Sequence, residues 1–400
     1  MSDDQVLPAL RPLEVATFRN ERNELYFALR DMTQVAPQAV TVSLPGYFVL
    51  AHLDGRHTAR DIQLAFLKQF GQLITLEQVE RLVNDLDKAL LLDTDTFEQA
   101  YAARRAEYLA ADARDNRARW PDGAELRREL SGLLAAGEAV AVRELRGVIA
   151  PHLDYRRGGP CYADAYATLA RAPAERYVIL GTNHFGRARG VVATGKDFQT
   201  PLGRVPVDRE FIVRLEHRLG CSLREQEFDH YTEHSVELQV HMLQVCRADA
   251  PFTIVPILCP DPSAGRTGAT PSGPGPAEFA DALAELLAGD DRSTVLIAGA
   301  DLSHVGQHFG DRRPTTPAFL EEVARRDRHL LELLEQRRED EFVSTLRDDG
   351  NPTRICSVGC IYALLRALPG QQVRVLRYHQ AVEPTAETHV TCAAAVVGTW

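Results

Sequence analysis

No stretch of this 400-residue chain comes near the roughly 18 consecutive apolar residues that carry a helix across a membrane, so no span is expected. The start, Met1-Ser2-Asp3-Asp4, is acidic and has no apolar segment behind it. A secretory signal is therefore not expected, and the reading is a cytoplasmic protein. Several common chemistries are missing. No G-x-G-x-x-G opens a helix, and neither G-x-x-x-x-G-K-[ST] nor G-x-S-x-G occurs. There is no C-x-x-C; Cys356 and Cys360 have three residues between them, and no third cysteine follows at iron–sulfur spacing. Seven cysteines, an odd number spread thinly, fit reduced thiols better than a disulfide framework. Basic residues are the minority, 45 against 56 acidic, for a formal net charge of -11. That balance argues against a nucleic-acid or anionic-membrane binder. What is present is 45% hydrophobic and 25% charged, the composition of a soluble globular protein of two or three domains.

Two kinds of grammar divide the chain. The first, over 1–95, reads as a small, mostly helical unit. Leu53-Asp54-Gly55 marks a turn, and Thr58-Ala59-Arg60-Asp61 starts a helix with Ile62, Ala65, Phe66 and Phe70 at helical spacing. Thr75-Leu76-Glu77-Gln78 is a capping-box pattern. Val79, Leu82, Val83, Leu86 and Leu90 then form one apolar stripe, best read as core. Turn, helix, helix and a short closing strand suggest a winged-helix-like module. Residues 96–117, charged and alanine-rich, read as a linker helix. From 118 to 400 short apolar runs alternate with helical stretches: Gly147-Val148-Ile149-Ala150, Tyr177-Val178-Ile179-Leu180, Phe252 to Leu258 and Thr294 to Ala298. Buried strands between helices predict an α/β domain, a central sheet flanked by helices. Asp261 to Ala277, rich in Gly, Pro, Ser and Thr, reads as a flexible surface loop.

Three of these runs end near a histidine: His152, His184 and His304. Ligands bind at the carboxyl ends of strands in α/β sheets. One such histidine alone would be a hydrogen-bonded structural residue; three in equivalent places point to a site. Imidazole suits first-row divalent metals, and two histidines with one anionic ligand leave positions open for substrate. The third ligand is open to Asp301, Glu237 or a cysteine. Cys356, at a loop-to-helix junction, is one candidate, since a helix N-terminus favours a thiolate; its plainer role is a small buried hydrophobe. A second cluster runs from Asp229 to Glu237. On one continuous helix His230, His234, Glu237 and His241 would share a face. His230 to His234 also spells H-x-x-E-H, a zinc metalloprotease pattern, although Asp-His-Tyr-Thr looks more like a loop entering a helix.

Taken in order, Pro151-His152, Gly181-Thr182-Asn183-His184, Thr200-Pro201-Leu202-Gly203 with Val207-Asp208, Glu233-His234-Ser235-Val236-Glu237, Asp301-Leu302-Ser303-His304 and Ile355-Cys356 resemble the Memo family. That family includes AmmeMemoRadiSam system protein B. The resemblance covers roughly residues 118 to 400. It implies a fold like class III extradiol dioxygenases, with His152, His184 and Cys356 as metal ligands and His234 in the place of an acid/base histidine. It makes Asp301 and His304 pocket residues, beside Asn183 and Glu237. The family often has Ala-Gly-Tyr after the first histidine; here Leu153-Asp154-Tyr155 follows, so Asp154 would add an acid beside the site. The implied cofactor is Fe(II), with Cu(I) as the alternative, since a thiolate suits both. The implied activity is a dioxygenase-like oxidoreductase acting on a small molecule or peptide. A metal- or partner-binding protein without turnover is the alternative, with radical-SAM and AMMECR-type proteins as partners. The N-terminal unit resembles PqqD-type winged-helix modules, which would imply peptide or partner binding.

Overall fold

The structure, a computed structural model, describes residues 5–120, 122–248, 250–263, 273–383 and 387–400. Most of the loop read over 261–277 lies outside the described residues. No helix among the described residues is long and apolar enough to cross a membrane. The chain divides into two compact units, Met1–Ala111 and Asp112–Trp400.

The first unit opens with strands β1 (Glu14–Arg19), β2 (Leu25–Arg30) and β3 (Val40–Ser43), an antiparallel sheet in that order. Helices α1 (Leu44–Leu50), α2 (Ala59–Phe70), α3 (Leu76–Lys88) and α4 (Asp95–Ala110) follow. A mostly helical reading missed the sheet because β1 is an edge strand whose last four residues are exposed, which erases the alternation a strand is recognised by. Both helix starts are real. Thr58 with Asp61, and Thr75 with Gln78, form reciprocal capping boxes. Val79, Val83 and Leu86 of the stripe are buried against Ile62, Phe66 and Leu29. Leu92 closes the fold through a single bridge to Leu10. Where the sequence reads a linker helix over 96–117, α4 ends at Ala110 and the next residues form a strand.

The second unit begins with that strand, β4 (Ala113–Asp115). Next come α5 (Gly123–Ala136), β5 (Glu144–Ala150), α6 (Tyr155–Ala170), β6 (Arg176–Thr182), β7 (Val192–Ala193), β8 (Asp197–Thr200) and β9 (Gly203–Val205). Helices α7 (Arg209–Leu219) and α8 (Ser235–Cys246) lead into β10 (Thr253–Cys259) and α9 (Pro276–Ala288). Strands β11 (Thr294–Gly299) and β12 (Asp301–Val305) precede α10 (Pro317–Glu335), α11 (Glu339–Asp348) and α12 (Val358–Ala367). A long hairpin, β13 (Gln372–Glu383) and β14 (Thr388–Thr399), ends the chain.

The main sheet has eight strands in the order β12-β14-β5-β11-β6-β10-β7, with β13 on β14. Its centre, β5, β11, β6 and β10, is parallel, and its outer strands are antiparallel. Parallel strands covered on both faces must be apolar throughout, and every residue of β6 and of β11 is buried. Parallel pairing also brings Ala150, Gly299, Thr182 and Cys259 to one edge of the sheet, so the loops that follow meet there.

Two glycines set how deep the next layer sits. A Cβ on Gly181, in β6, would stand 2.5 Å from the Ser235 hydroxyl and 2.7 Å from Val236. One on Gly299, at the end of β11, would stand 2.6 Å from the Ser235 carbonyl. The first turn of α8 therefore lies directly on the strand ends. Gly181→Ala is expected to destabilise the protein by about 1–3 kcal/mol through overpacking. Urea unfolding should show a lower midpoint at unchanged slope; a wild-type midpoint would contradict this seating of α8.

Candidate metal centre

Three imidazoles meet above the sheet edge. His152 follows β5 after Pro151, His184 follows β6 after Asn183, and His234 is the residue before α8. One ligand atom from each lies within 4.8 Å of the other two. The rings of His184 and His234 stack at 5.1 Å, and that of His152 stands edge-on to both. Cys356, two residues before α12, lies beside this trio but is not one of the three residues whose ligand atoms meet; its Sγ is 3.4 Å from His152 Nε2.

The two inner histidines are held in one orientation. His152 Nδ1 is 2.8 Å from the Gly299 carbonyl, and His184 Nδ1 is 3.0 Å from the Glu233 carboxylate. An occupied Nδ1 leaves Nε2 to face the centre, the arrangement by which metal-bound histidines are oriented. His234 is different. Its ring has only a 3.5 Å approach from Glu233, and its side chain is 39% exposed. Two ligands at about 2.1 Å (nitrogen) and about 2.3 Å (sulfur) from one tetrahedral ion lie about 3.6 Å apart. The His152–Cys356 separation of 3.4 Å is close to that. The cluster could thus hold a metal ion.

The chain spends several residues on delivering Cys356. Arg354 has a left-handed backbone, φ 56°, which a non-glycine residue adopts at a cost in strain. Its side chain is anchored on the His304 carbonyl and Asp311. Asn351 brackets Ile355, bonding both its N–H and its carbonyl. Ser357 accepts from the Asp301 amide.

Electrostatics tie the group together. Burial opposes charge on His152, but the Asp301 carboxylate and the Cys356 sulfur outweigh it and lift its pKa from 6.5 to about 9. Burial likewise opposes charge on His184; Glu233 and Cys356 carry it well above the usual range. Burial would raise the Cys356 thiol, yet His152, His304 and His184 hold it well below the usual range. Glu233, also buried, is kept ionised by His184. Burial lowers His234 to about 4 against the pull of Glu233.

The structure sorts the remaining sequence candidates. Asp301 belongs here: its carboxylate accepts from the His152 and Leu153 amides, and Oδ2 lies 3.5 Å from His152 Nε2. Asn183 shapes the loop carrying His184, donating to Asp229 and accepting from Gly186. His304 does not sit in a turn like the other two. Only Ala300 separates β11 from β12, so His304 falls on a strand, beyond an irregularity in register after Asp301. Its ring packs on Phe309, with Nδ1 on the Leu302 carbonyl. Asp154 is taken up elsewhere: it caps α6 and pairs with Arg157. Glu237 bonds Arg114, Asn116 and Trp120. His230 lies in a short 3-10 turn, not on α8, and its Nε2 approaches the Val192 carbonyl at 3.3 Å. The shared helical face fails because Glu233 starts α8 only at Ser235, accepting the His234 and Ser235 amides. Glu233 is the residue the sequence reading missed. Its signal was its place just before His234.

These shifts have a definite sign. A folded-state pKa raised above the unfolded value gives stability that is complete below the unfolded pKa and lost as pH rises through the folded one. For His152 that window runs from about 6.5 to about 9. The thermal midpoint of chelator-treated protein should fall across it, and fall less in His152→Asn. Equal falls in both proteins would refute the assignment.

Comparison with known proteins gives a consistent result. The family model described as Memo-like protein matches residues 121–397. A MEMO1 family protein of Aquifex aeolicus (strain VF5) is 27% identical over 332 residues, 82% of this chain and 83% of its own. The MEMO1 family protein TTHA0924 of Thermus thermophilus is 29% identical over 337 residues, 83% of this chain and 96% of its own. An uncharacterized Escherichia coli K12 protein, JW3007, superposes with a TM-score of 0.37 at 17% identity, over 63% of this chain and 100% of that one. His152, His184, His234 and Cys356 all lie within the matched residues, and the chain belongs to the Memo family.

Proposed function

We propose that this Memo-family protein binds a redox-active first-row metal, Fe(II) or alternatively Cu(I), through His152 Nε2, His184 Nε2 and the Cys356 sulfur. The observation that carries this reading is the occupancy of both Nδ1 atoms, by the Gly299 carbonyl and by Glu233, with the Cys356 sulfur 3.4 Å from His152 Nε2. A bound Fe(II) would supply open coordination positions for a substrate oxygen and dioxygen, as in two-histidine, one-anion sites.

The protein's own groups divide the remaining work. Glu233 fixes the His184 tautomer, leaving Nε2 as the lone-pair nitrogen. Asp301 holds the His152 backbone and faces its ring. His234 is the proton carrier. It is exposed enough to meet substrate, and its ring lies against both ligand rings. A three-histidine ligand set is the geometric rival, since those three ligand atoms lie within 4.8 Å of one another; the looser hold on His234, a 3.5 Å approach from Glu233, weighs against it. The metalloprotease reading has no comparable support, since His230 sits apart with its ring on Val192.

Anaerobically purified protein should contain stoichiometric iron or copper. Cys356→Ser should lose it, and His234→Ala should keep it. Glu233→Gln should weaken binding about 10- to 100-fold, the effect of losing a histidine's orienting partner. Metal retained in Cys356→Ser but lost in His234→Ala would establish the three-histidine set instead. No metal in the wild type, even after reconstitution, would overturn the proposal. Oxygen uptake with an aromatic diol separates turnover from metal holding alone.

A further inference from the structure

The loop carrying Glu233 and His234 has two faces. The Glu233 side chain turns to the imidazoles. The backbone carbonyls of the same loop turn to a different partner, the start of the second unit. Arg114, buried on β4, donates from Nε to the His230 carbonyl at 2.6 Å. Its NH2 donates to the Glu233 carbonyl at 2.6 Å and to Glu237 Oε2 at 2.8 Å. Arg119 reaches the Thr232 carbonyl at 3.3 Å. Asn116 and Trp120 close on Glu237, each at 2.6 Å. The Arg114 guanidinium also lies over the Phe198 ring, and β4 pairs with β8 there. A planar guanidinium offers donors in a fixed fork, which a lysine ammonium cannot reproduce.

We propose that residues 113–120 are a positioning strap for the metal centre, with Arg114 as its anchor. The proposal rests on the metal-site reading above. The strap lies upstream of the family match, which begins at residue 121. It immediately follows the boundary between the two units at residue 111. By gripping the His230 and Glu233 carbonyls, Arg114 fixes the turn from which the Glu233 carboxylate reaches His184 and from which His234 projects. Arg114 is thus a positioning residue for both the His184 ligand and the proton carrier, acting through the loop backbone and not through charge alone.

The test uses full-length protein and Co(II) alone as the probe, read by its visible absorption. Arg114→Lys keeps a positive charge beside Glu237 but loses the fork on the two carbonyls. It is expected to bind Co(II) roughly tenfold more weakly, at the lower end of the effect of outer partners on metal sites, with shifted absorption bands. Arg117→Ala, an exposed change on the same segment, should bind as wild type does. If Arg114→Lys restores both affinity and spectrum, Arg114 is only a counter-charge and the proposal falls. A second measurement covers a variant that does not fold. In wild-type protein, Co(II) should slow deuterium exchange in 113–120 together with 230–237. Protection of 230–237 with unchanged exchange in 113–120 would overturn the strap. Failure of the wild type to bind Co(II) would count against the metal site itself, a distinguishable result.

Discussion

Four N–H groups converge on one buried carboxylate, that of Glu233. They come from the His184 backbone, the His184 ring, and the amides of His234 and Ser235. A buried anion is tolerable only when it is paired and fully hydrogen-bonded, and this one is both. It also sits at the N-terminal end of α8, where unsatisfied amides and the helix dipole favour negative charge. One group thereby begins the helix, orients the His184 ring and sets the place of His234. Take it away and four donors lose their acceptor at once.

The rest of the second unit serves that junction. The parallel strands bring the His152 and His184 loops to one edge, and the glycines of β6 and β11 let α8 descend onto it. From the far side, β4 holds the carbonyls of the loop that Glu233 belongs to. Cys356 comes from a separate direction, through a left-handed turn at Arg354 and a bracket from Asn351. The site is an intersection of loops, each pinned by side chains on the strands and helices around it.

Much of this was legible in the sequence. Continuous apolar runs named the parallel strands, because burial on both faces leaves no polar positions to confuse the pattern. The histidines after β5 and β6 stood out from the strand ends, whereas Cys356 was one open candidate at a helix start and entered the ligand set only through the family resemblance. The errors have physical causes. His304 was placed in a turn because one residue, Ala300, cannot be seen from periodicity to separate two strands. The loop read over Asp229 to Thr232 is there, with the helix starting at Ser235, but Glu237 was singled out as an acid of the site and Glu233 was not, because the bonds Glu233 makes are tertiary. Asp154 reads as an acid near a metal, but local capping claimed it. In the first unit burial left little mark on β1, whose last four residues are exposed, while β2 and β3 bury only Phe27, Leu29 and Val42.

Pairing acids with imidazoles in one buried cluster has a further consequence. The Asp301 and Glu233 carboxylates and the Cys356 sulfur raise the pKa values of His152 and His184, and those rings in turn lower Cys356 and Glu233. On the proposed metal-site reading, a divalent ion that takes the place of two protons leaves the total charge of the cluster unchanged, and a monovalent ion leaves it one unit more negative. Charge, besides the softness of sulfur, would then discriminate between ions.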